Sequence, residues 1–291
     1  MTRVGIIADS HSSITQEMAE KMGIQVIPAP FYIDGKQYLE DVSLTREEFF
    51  RLQEEGHDIK TTQPNIAEVA QEWGKALLEY DQILYFPISA GLSGSCQTAE
   101  LVSHDDAFEG RVFVVNNGRV STPMDVTIRD ALTMINKGYD APTIQKKLQD
   151  SRDDEIIYLA VETLQYLKSG GRITAGAAKL AGLLNIKPIL KMTTGNIDMF
   201  KVCRSMKRAQ KMMIEQIRSD MDTKFRKWKE AGELYLMTSG SVMGKEKEGW
   251  IEQVKEAFPG WNVISDDLSL GVCVHTGPGV CAIGIARKVT E

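Results

Sequence analysis

Short apolar runs of strand length alternate with amphipathic stretches through the first half of this chain, and no other feature constrains the fold as strongly. Val4–Ala8, Ile83–Ile88 and Val112–Val115 are apolar runs too short for helices, and Gln25–Pro28 and Phe31–Ile33 are shorter extended pieces. Between them Ile14–Met22, Arg46–Glu54, Ile66–Glu79 and Ser95–Ser103 have helical spacing. In Ile66–Glu79 the side chains of Ile66, Val69, Trp73, Ala76 and Leu77 fall on one face. Strands alternating with helices predict an α/β fold whose N-terminal part is a mainly parallel sheet flanked by helices.

Helices at Asp125–Asn136 and Pro142–Gln149 lead into the polar run Asp150–Glu155, which sets the expected boundary between residues 1–152 and 153–291. The second half reads as mixed α/β. Strands are expected at Ile156–Val161, Ile186–Leu190, Asp198–Val202, Leu234–Met237, Asn262–Ile264 and Val280–Ala286. Helices are expected at Leu164–Lys168, Ala175–Leu184, Ser205–Lys229 and Glu246–Phe258, with a turn at Thr194–Asn196. No repeat or low-complexity linker separates the halves, so a tight interface is expected, and such interfaces often hold ligands.

Composition narrows the function. Of 291 residues, 43% are hydrophobic and 25% charged, and 34 basic against 40 acidic side chains give a net charge of −6. No basic block marks a nucleic-acid footprint, and no apolar run approaches the roughly 20 residues that span a bilayer. The opening Met1–Ser10 reads as a first strand, not a signal peptide, so a cytoplasmic location without stable membrane insertion is expected. Cys96, Cys203, Cys273 and Cys281 are scattered and reduced in this reading, and no ligand spacing suggests a metal.

Nucleotide motifs fail on spacing. Gly240–Lys245 is one residue short of a Walker A loop and is followed by Glu246, and Gly277-Pro-Gly279 lacks the dinucleotide fingerprint. Three small-residue loops remain. Asp9–Ser13 follows the first strand, where ligands sit in open α/β sheets; an N-cap by Ser12 or Ser13 would leave Asp9 and Ser10 free for another role. Thr61–Asn65 ends in an N-cap, Asn65. Ser89–Ser95 combines glycines with a following helix N-terminus, a combination suited to anions. The same loop approximates a nucleophile elbow at Ser93, with Asp266 or Asp267 and then His275 in triad order, so a serine-dependent lipid ester hydrolase is one alternative. A small-anion sensor is another. Arg172, after Gly170-Gly171, is either a surface cation or a clamp for a carboxylate or phosphate.

Taken in order, Ile7-Ala-Asp9-Ser10, Thr61-Thr62-Gln63-Pro64, Ile88–Ser95, Thr163–Ile173, Leu184–Leu190 and His275-Thr-Gly-Pro-Gly279 resemble the DegV family of bacterial fatty-acid-binding proteins. The resemblance covers nearly the whole chain. Each motif is weak alone, and six in sequence are specific.

The resemblance implies two α/β domains enclosing an acyl chain, with no catalysis of their own and no cofactor. A partner fatty acid kinase would phosphorylate the bound carboxylate from ATP, yielding an acyl phosphate for phospholipid synthesis. Thr61 and Ser93 would hydrogen-bond the carboxyl group, with the Gly94 amide assisting and His275 nearby. Arg172 and Arg204 match basic positions assigned to head-group electrostatics or kinase docking, and Ser10 and Thr62 lie in adjoining loops. The chain departs from the family pattern at Ala90, Cys96, Asn116-Asn117 and Thr62, which bears on cavity shape. The chemistry is consistent. Burying a C16 tail gains on the order of 10 kcal/mol gross at ~0.8 kcal/mol per CH₂, hydroxyls serve either protonation state of the head, and the 13 methionines offer adaptable packing.

Overall fold

The protein is described here by a computed structural model covering residues 2–40, 42–179 and 185–290. Three sheets organise it. The first is parallel throughout, in the order Gln25–Ile27, Val4–Asp9, Gln82–Phe86, Val112–Val114. Every residue of Val4–Asp9 is buried, as a strand covered by helices on both faces must be. On one face Val4, Ile6 and Ala8 join Met124, Ile128, Ile144 and Leu148; on the other Ile7 joins Val69, Trp73 and Tyr85. The alternation follows from the strand's two-residue period.

The second sheet has six strands, in the order Asn196–Cys203, Lys187–Thr193, Glu155–Ala160, Cys281–Arg287, Leu234–Gly240, Val263–Asp267. All its pairings are antiparallel except the last, Leu234–Gly240 with Val263–Asp267. Ile157 and Leu159 face the centre of the molecule, while Ile156 and Tyr158 pack outward on the helix Met206–Asp222 and its neighbours.

A third, antiparallel sheet of Lys36–Leu39, Pro30–Ile33 and Ile59–Thr61 carries the helix Arg46–Glu54. Only Phe31–Ile33 was expected from the sequence. Asp34 and Gly35, both at positive φ, turn the hairpin, and Asp-Gly is a pair suited to two-residue turns of that kind. The core between the three sheets joins Phe31, Phe49, Ile88, Val120, Leu159, Leu190 and Leu270. The second and third sheets each present a face to it, and the first sheet contributes loop residues that follow its strands, Ile88 and Val120.

Several expectations are corrected. The helix expected over Ser205–Lys229 is two, Met206–Asp222 and Arg226–Ala231. Between them the chain bends at Thr223 and buries Phe225 completely. Regular helix runs over Ala175–Ala178, and residues 180–184 of the expected Ala175–Leu184 lie outside the described residues. A seven-residue helix, Leu270–Thr276, was not anticipated. Finally, Arg119 and Glu155 form a fully buried pair at 3.2 Å, with Arg119 also donating to Thr127 Oγ1 and the Ser151 carbonyl. This ties the loop before Thr122 to the strand Glu155–Ala160 of the second sheet.

Candidate functional site

Four loops and helix ends converge on one cavity of about 220 Å³, lined by Thr61, Thr62, Gln63, Leu92, Ser93, Gly94, Arg172 and His275 among others. Thr61 is the last residue of Ile59–Thr61, held in register opposite Phe31. Ser93 and Gly94 follow the parallel strand Gln82–Phe86 and precede the helix Ser95–Val102, whose N-cap Gly94 supplies no side chain. The Gly94 cap thus contributes no side-chain acceptor to the amides of that first turn. Arg172 follows the short helix Gln165–Ser169, and His275 sits on Leu270–Thr276.

The contact that organises the mouth is Thr61 Oγ1 to His275 Nε2, 2.8 Å, between residues 214 apart in sequence. The helix carrying His275 is pinned by Arg46, which donates to the Leu268 carbonyl at 2.7 Å, and by Gln53, which donates to the Cys273 carbonyl at 3.0 Å. Behind the ring lies Gly170, where a Cβ would stand 2.9 Å from His275 Cε1 and nearer still to Nδ1. Burial, then the charges of Arg172 and His11, push the His275 imidazole down to about 4. It is neutral at physiological pH and acts by hydrogen bonding.

Ser93 Oγ accepts from the Ser95 amide at 3.2 Å, which orients the hydroxyl and leaves its proton to donate. Arg172 Nε donates to the Leu92 carbonyl at 3.2 Å and Nη1 to the Gly170 carbonyl. Its guanidinium is thereby fixed on the cavity wall. Gln63 folds over Gly94, where any Cβ would meet Gln63 Nε2 at 2.6 Å.

Leu92, Ile197, Val272 and Thr276 line this mouth and also a second, inner chamber of about 70 Å³. Its further walls are Val120, Ile157, Leu159, Met192, Met237, Leu268, Ala282 and Ile283. Most hydroxyls bordering it are occupied elsewhere: Ser121 with Ser239 at 2.9 Å, Thr122 with the Thr238 carbonyl, Thr276 with the Val272 carbonyl, while the buried Thr238 Oγ1 has no hydrogen-bond partner among the described residues. The result is a mouth bearing polar groups set against an apolar chamber, with Leu92, Ile197, Val272 and Thr276 common to both.

Thr61, Thr62, Ser93, Gly94, Arg172 and His275 thus meet at one place. Arg204 does not join them and is exposed beyond the strand Asn196–Cys203. Nor does Ser10, whose Oγ accepts from the Ala29 amide and which borders a different cavity. The expectation that Asp9 and Ser10 stand free is corrected, since Asp9 accepts from the amides of His11 and Ile88. The helix after this loop is capped by Thr15, not Ser12 or Ser13. Sequence reasoning passed over His11, Gln63 and Gly170, all three at the mouth.

A hydrolytic triad does not assemble. His275 Nε2 is engaged by Thr61, its Nδ1 has no hydrogen-bond partner among the described residues, and Asp266 and Asp267 border the separate cavity beside Ser10. Among the described residues there is also no metal-ligating cluster and no helix long and apolar enough to cross a membrane.

Residues 3–288 match the sequence model described as an uncharacterised protein of the DegV family. A DegV domain-containing protein of Deinococcus radiodurans is 29% identical over 286 residues, 98% of each chain. Another from Staphylococcus aureus is 26% identical over 292 residues, covering 99% of this chain and 100% of its own. Among solved structures, a fatty-acid-binding DegV family protein from Thermus thermophilus superposes with a TM-score of 0.86 at 26% identity, covering 98% of this chain and 99% of that one. A stearic-acid-binding protein from Eubacterium ventriosum shares the fold with a TM-score of 0.88 at 21% identity, over 99% of both chains.

Proposed function

This chain belongs to the DegV family, and from that footing we propose that it carries one long-chain fatty acid and presents the carboxyl group to a partner ATP-dependent kinase for acyl phosphate formation. The supporting observation is a pair of adjoining cavities that share a wall: hydroxyls of Thr61 and Ser93 and the ring of His275 at the mouth, and an apolar chamber on the other side of Leu92 and Val272. The fatty-acid-binding relative from Thermus thermophilus, aligned over nearly the whole chain, supports the same ligand class.

In this reading the acyl tail lies between the halves 1–152 and 153–291. Met192 and Met237 border the narrow inner chamber, and their unbranched side chains adjust to admit the tail. The head is held by hydrogen bonds that orient it without covering both oxygens, so one oxygen remains available to attack the γ-phosphate of ATP on the kinase. The Arg172 guanidinium at the rim offers charge to the product phosphate. The whole cycle is cytoplasmic. An apolar inner chamber favours this reading over a small-anion sensor, which needs only a compact polar pocket.

Native mass spectrometry of gently purified protein is expected to find one fatty acid per chain. Ser93→Ala should lower both that occupancy and the acyl phosphate formed when kinase and ATP are supplied. Protein that carries no lipid and takes up no added palmitate would overturn the proposal.

A further inference from the structure

We infer that His11, its imidazole backed by the buried Asp9 carboxylate, is a second ligand of the acid head, and that it makes the cavity select ionised carboxylic acids over neutral lipids of equal chain length. The inference rests on the fatty-acid reading above and names which form of the ligand that site takes.

The imidazole of His11 lines the mouth cavity alongside Thr61, Ser93 and His275, yet only 10% of its side chain is exposed. Its Nδ1 lies 3.1 Å from Asp9 Oδ1. Asp9 is itself wholly buried and immobilised at two strand ends, with Oδ1 accepting from the His11 amide at 3.0 Å and Oδ2 from the Ile88 amide at 2.7 Å. The ring thus turns Nδ1 towards the carboxylate, at ion-pair distance but without a well-aligned hydrogen bond among the described residues, and Nε2 towards the opposite side. Nε2 makes no hydrogen bond to any described residue. It rests against Gly271, where a Cβ would be 2.9 Å away. Gly271 precedes His275 by four residues on one helix, about 6 Å along its axis.

The charged and titratable groups acting on the ring are Asp9 on its own segment, Glu40 after the strand Lys36–Leu39, and His275 on the facing helix. The helix Thr122–Asn136, packed behind the turn, adds none. Burial opposes the proton, but Asp9 and then Glu40 outweigh it and hold the His11 pKa above its ordinary value. The two histidines of the mouth are therefore pushed in opposite directions, His275 towards the neutral form and His11 towards the protonated one. When an acyl tail fills the slot, water leaves the Nε2–H, and a buried donor without an acceptor is costly. An ionised carboxyl satisfies it through a charge-assisted bond, and an alcohol does so without the charge.

The test is binding of palmitate and 1-hexadecanol to the full chain between pH 6 and pH 9, a range in which free palmitate stays ionised. In the unmodified protein the palmitate-to-hexadecanol affinity ratio is expected to fall about tenfold as pH rises through the His11 titration. In His11→Gln the ratio is expected to be low and flat, with Arg172 still in place. Failure of the unmodified protein to bind either lipid would overturn the fatty-acid reading and this inference with it. Good palmitate binding with the same ratio and pH profile in His11→Gln would overturn the His11 role alone. Imidazole NMR of the unmodified protein gives a readout independent of variant folding: palmitate should raise the pH at which His11 loses its proton, and no change would refute the assignment.

Discussion

Gly170→Ala isolates the contact that organises the mouth. Gly170 has φ −75° and ψ −11°, a right-handed helical conformation open to alanine, so the substitution adds no backbone strain and gains up to about 1 kcal/mol in helical preference. Its new methyl, however, would stand 2.9 Å from Cε1 and 3.2 Å from Cγ of His275, and closer to Nδ1. The ring must swing away, and the 2.8 Å bond to Thr61 breaks. A neutral hydrogen bond is worth about 0.5–1.5 kcal/mol net. If head-group binding depends on that arrangement, the palmitate Kd rises roughly 2- to 12-fold at ~1.4 kcal/mol per decade. Overpacking costs about 1–3 kcal/mol and the backbone gain returns at most about 1, so a measurable loss of thermal stability accompanies the weaker binding. Calorimetric titration and a thermal melt read the two effects separately. Gly74→Ala, in the helix Ile66–Ala76 with open space around it, is the control: slightly more stable, with unchanged binding. Because Gly170→Ala and His275→Ala remove the same contact, their losses should not add. Wild-type affinity in Gly170→Ala, or full additivity with His275→Ala, would refute the reasoning.

Three further outcomes are expected. Ala282→Phe, at the wall of the inner chamber, should weaken palmitate binding far more than decanoate binding; equal losses would mean the tail lies elsewhere. His275 is depressed to about 4, chiefly by burial. The unfolded chain, with an ordinary histidine pKa near 6.5, therefore takes up the proton first. Its contribution to stability is complete above about pH 6.5 and is lost as pH falls towards 4, on the order of 3 kcal/mol. The stability difference between the wild type and His275→Asn in denaturant melts should change over that window and stay constant outside it. Arg119→Met strands Glu155 in a fully buried site, where burial already pushes the carboxyl up to about 7. A loss of about 3–5 kcal/mol by chemical denaturation is expected at neutral pH, and a loss below 1 kcal/mol would show that the pair is dispensable.

Much of the architecture was legible because the strands that build it are buried on both faces and announce themselves as apolar runs, as Val4–Ala8 and Ile156–Val161 do. The parallel sheet follows from their alternation with helices. Elements that were missed gave weaker signals. Leu270–Thr276 is short and apolar on most sides, so no 3.6-residue stripe marks it. The third sheet has strands of three and four residues, and its one clear signal, Asp34-Gly35, went unused. The break before Phe225 depends on where that ring finds a buried place, which periodicity does not encode.

For the site, several of the six ordered motifs lie on loops that meet at one cavity, but periodicity and spacing did not join Thr61 to His275. That pairing depends on three sheets converging, and a bond across 214 residues has no local signature. His11 was passed over for a related reason. A histidine among serines looks like loop material until Asp9 is seen to be tied to Ile88 across two strands. Arg204 shows the reverse, a motif position that the fold leaves on the surface.

The central claim is best tested by a crystal structure of the protein grown with a bromine-labelled palmitate. The account predicts one acyl chain with its carboxyl between Thr61, Ser93 and His275 and its bromine signal in the chamber bordered by Leu159, Met192 and Ile283. Bromine on the outer surface, or a head group buried with the tail facing solvent, would contradict it.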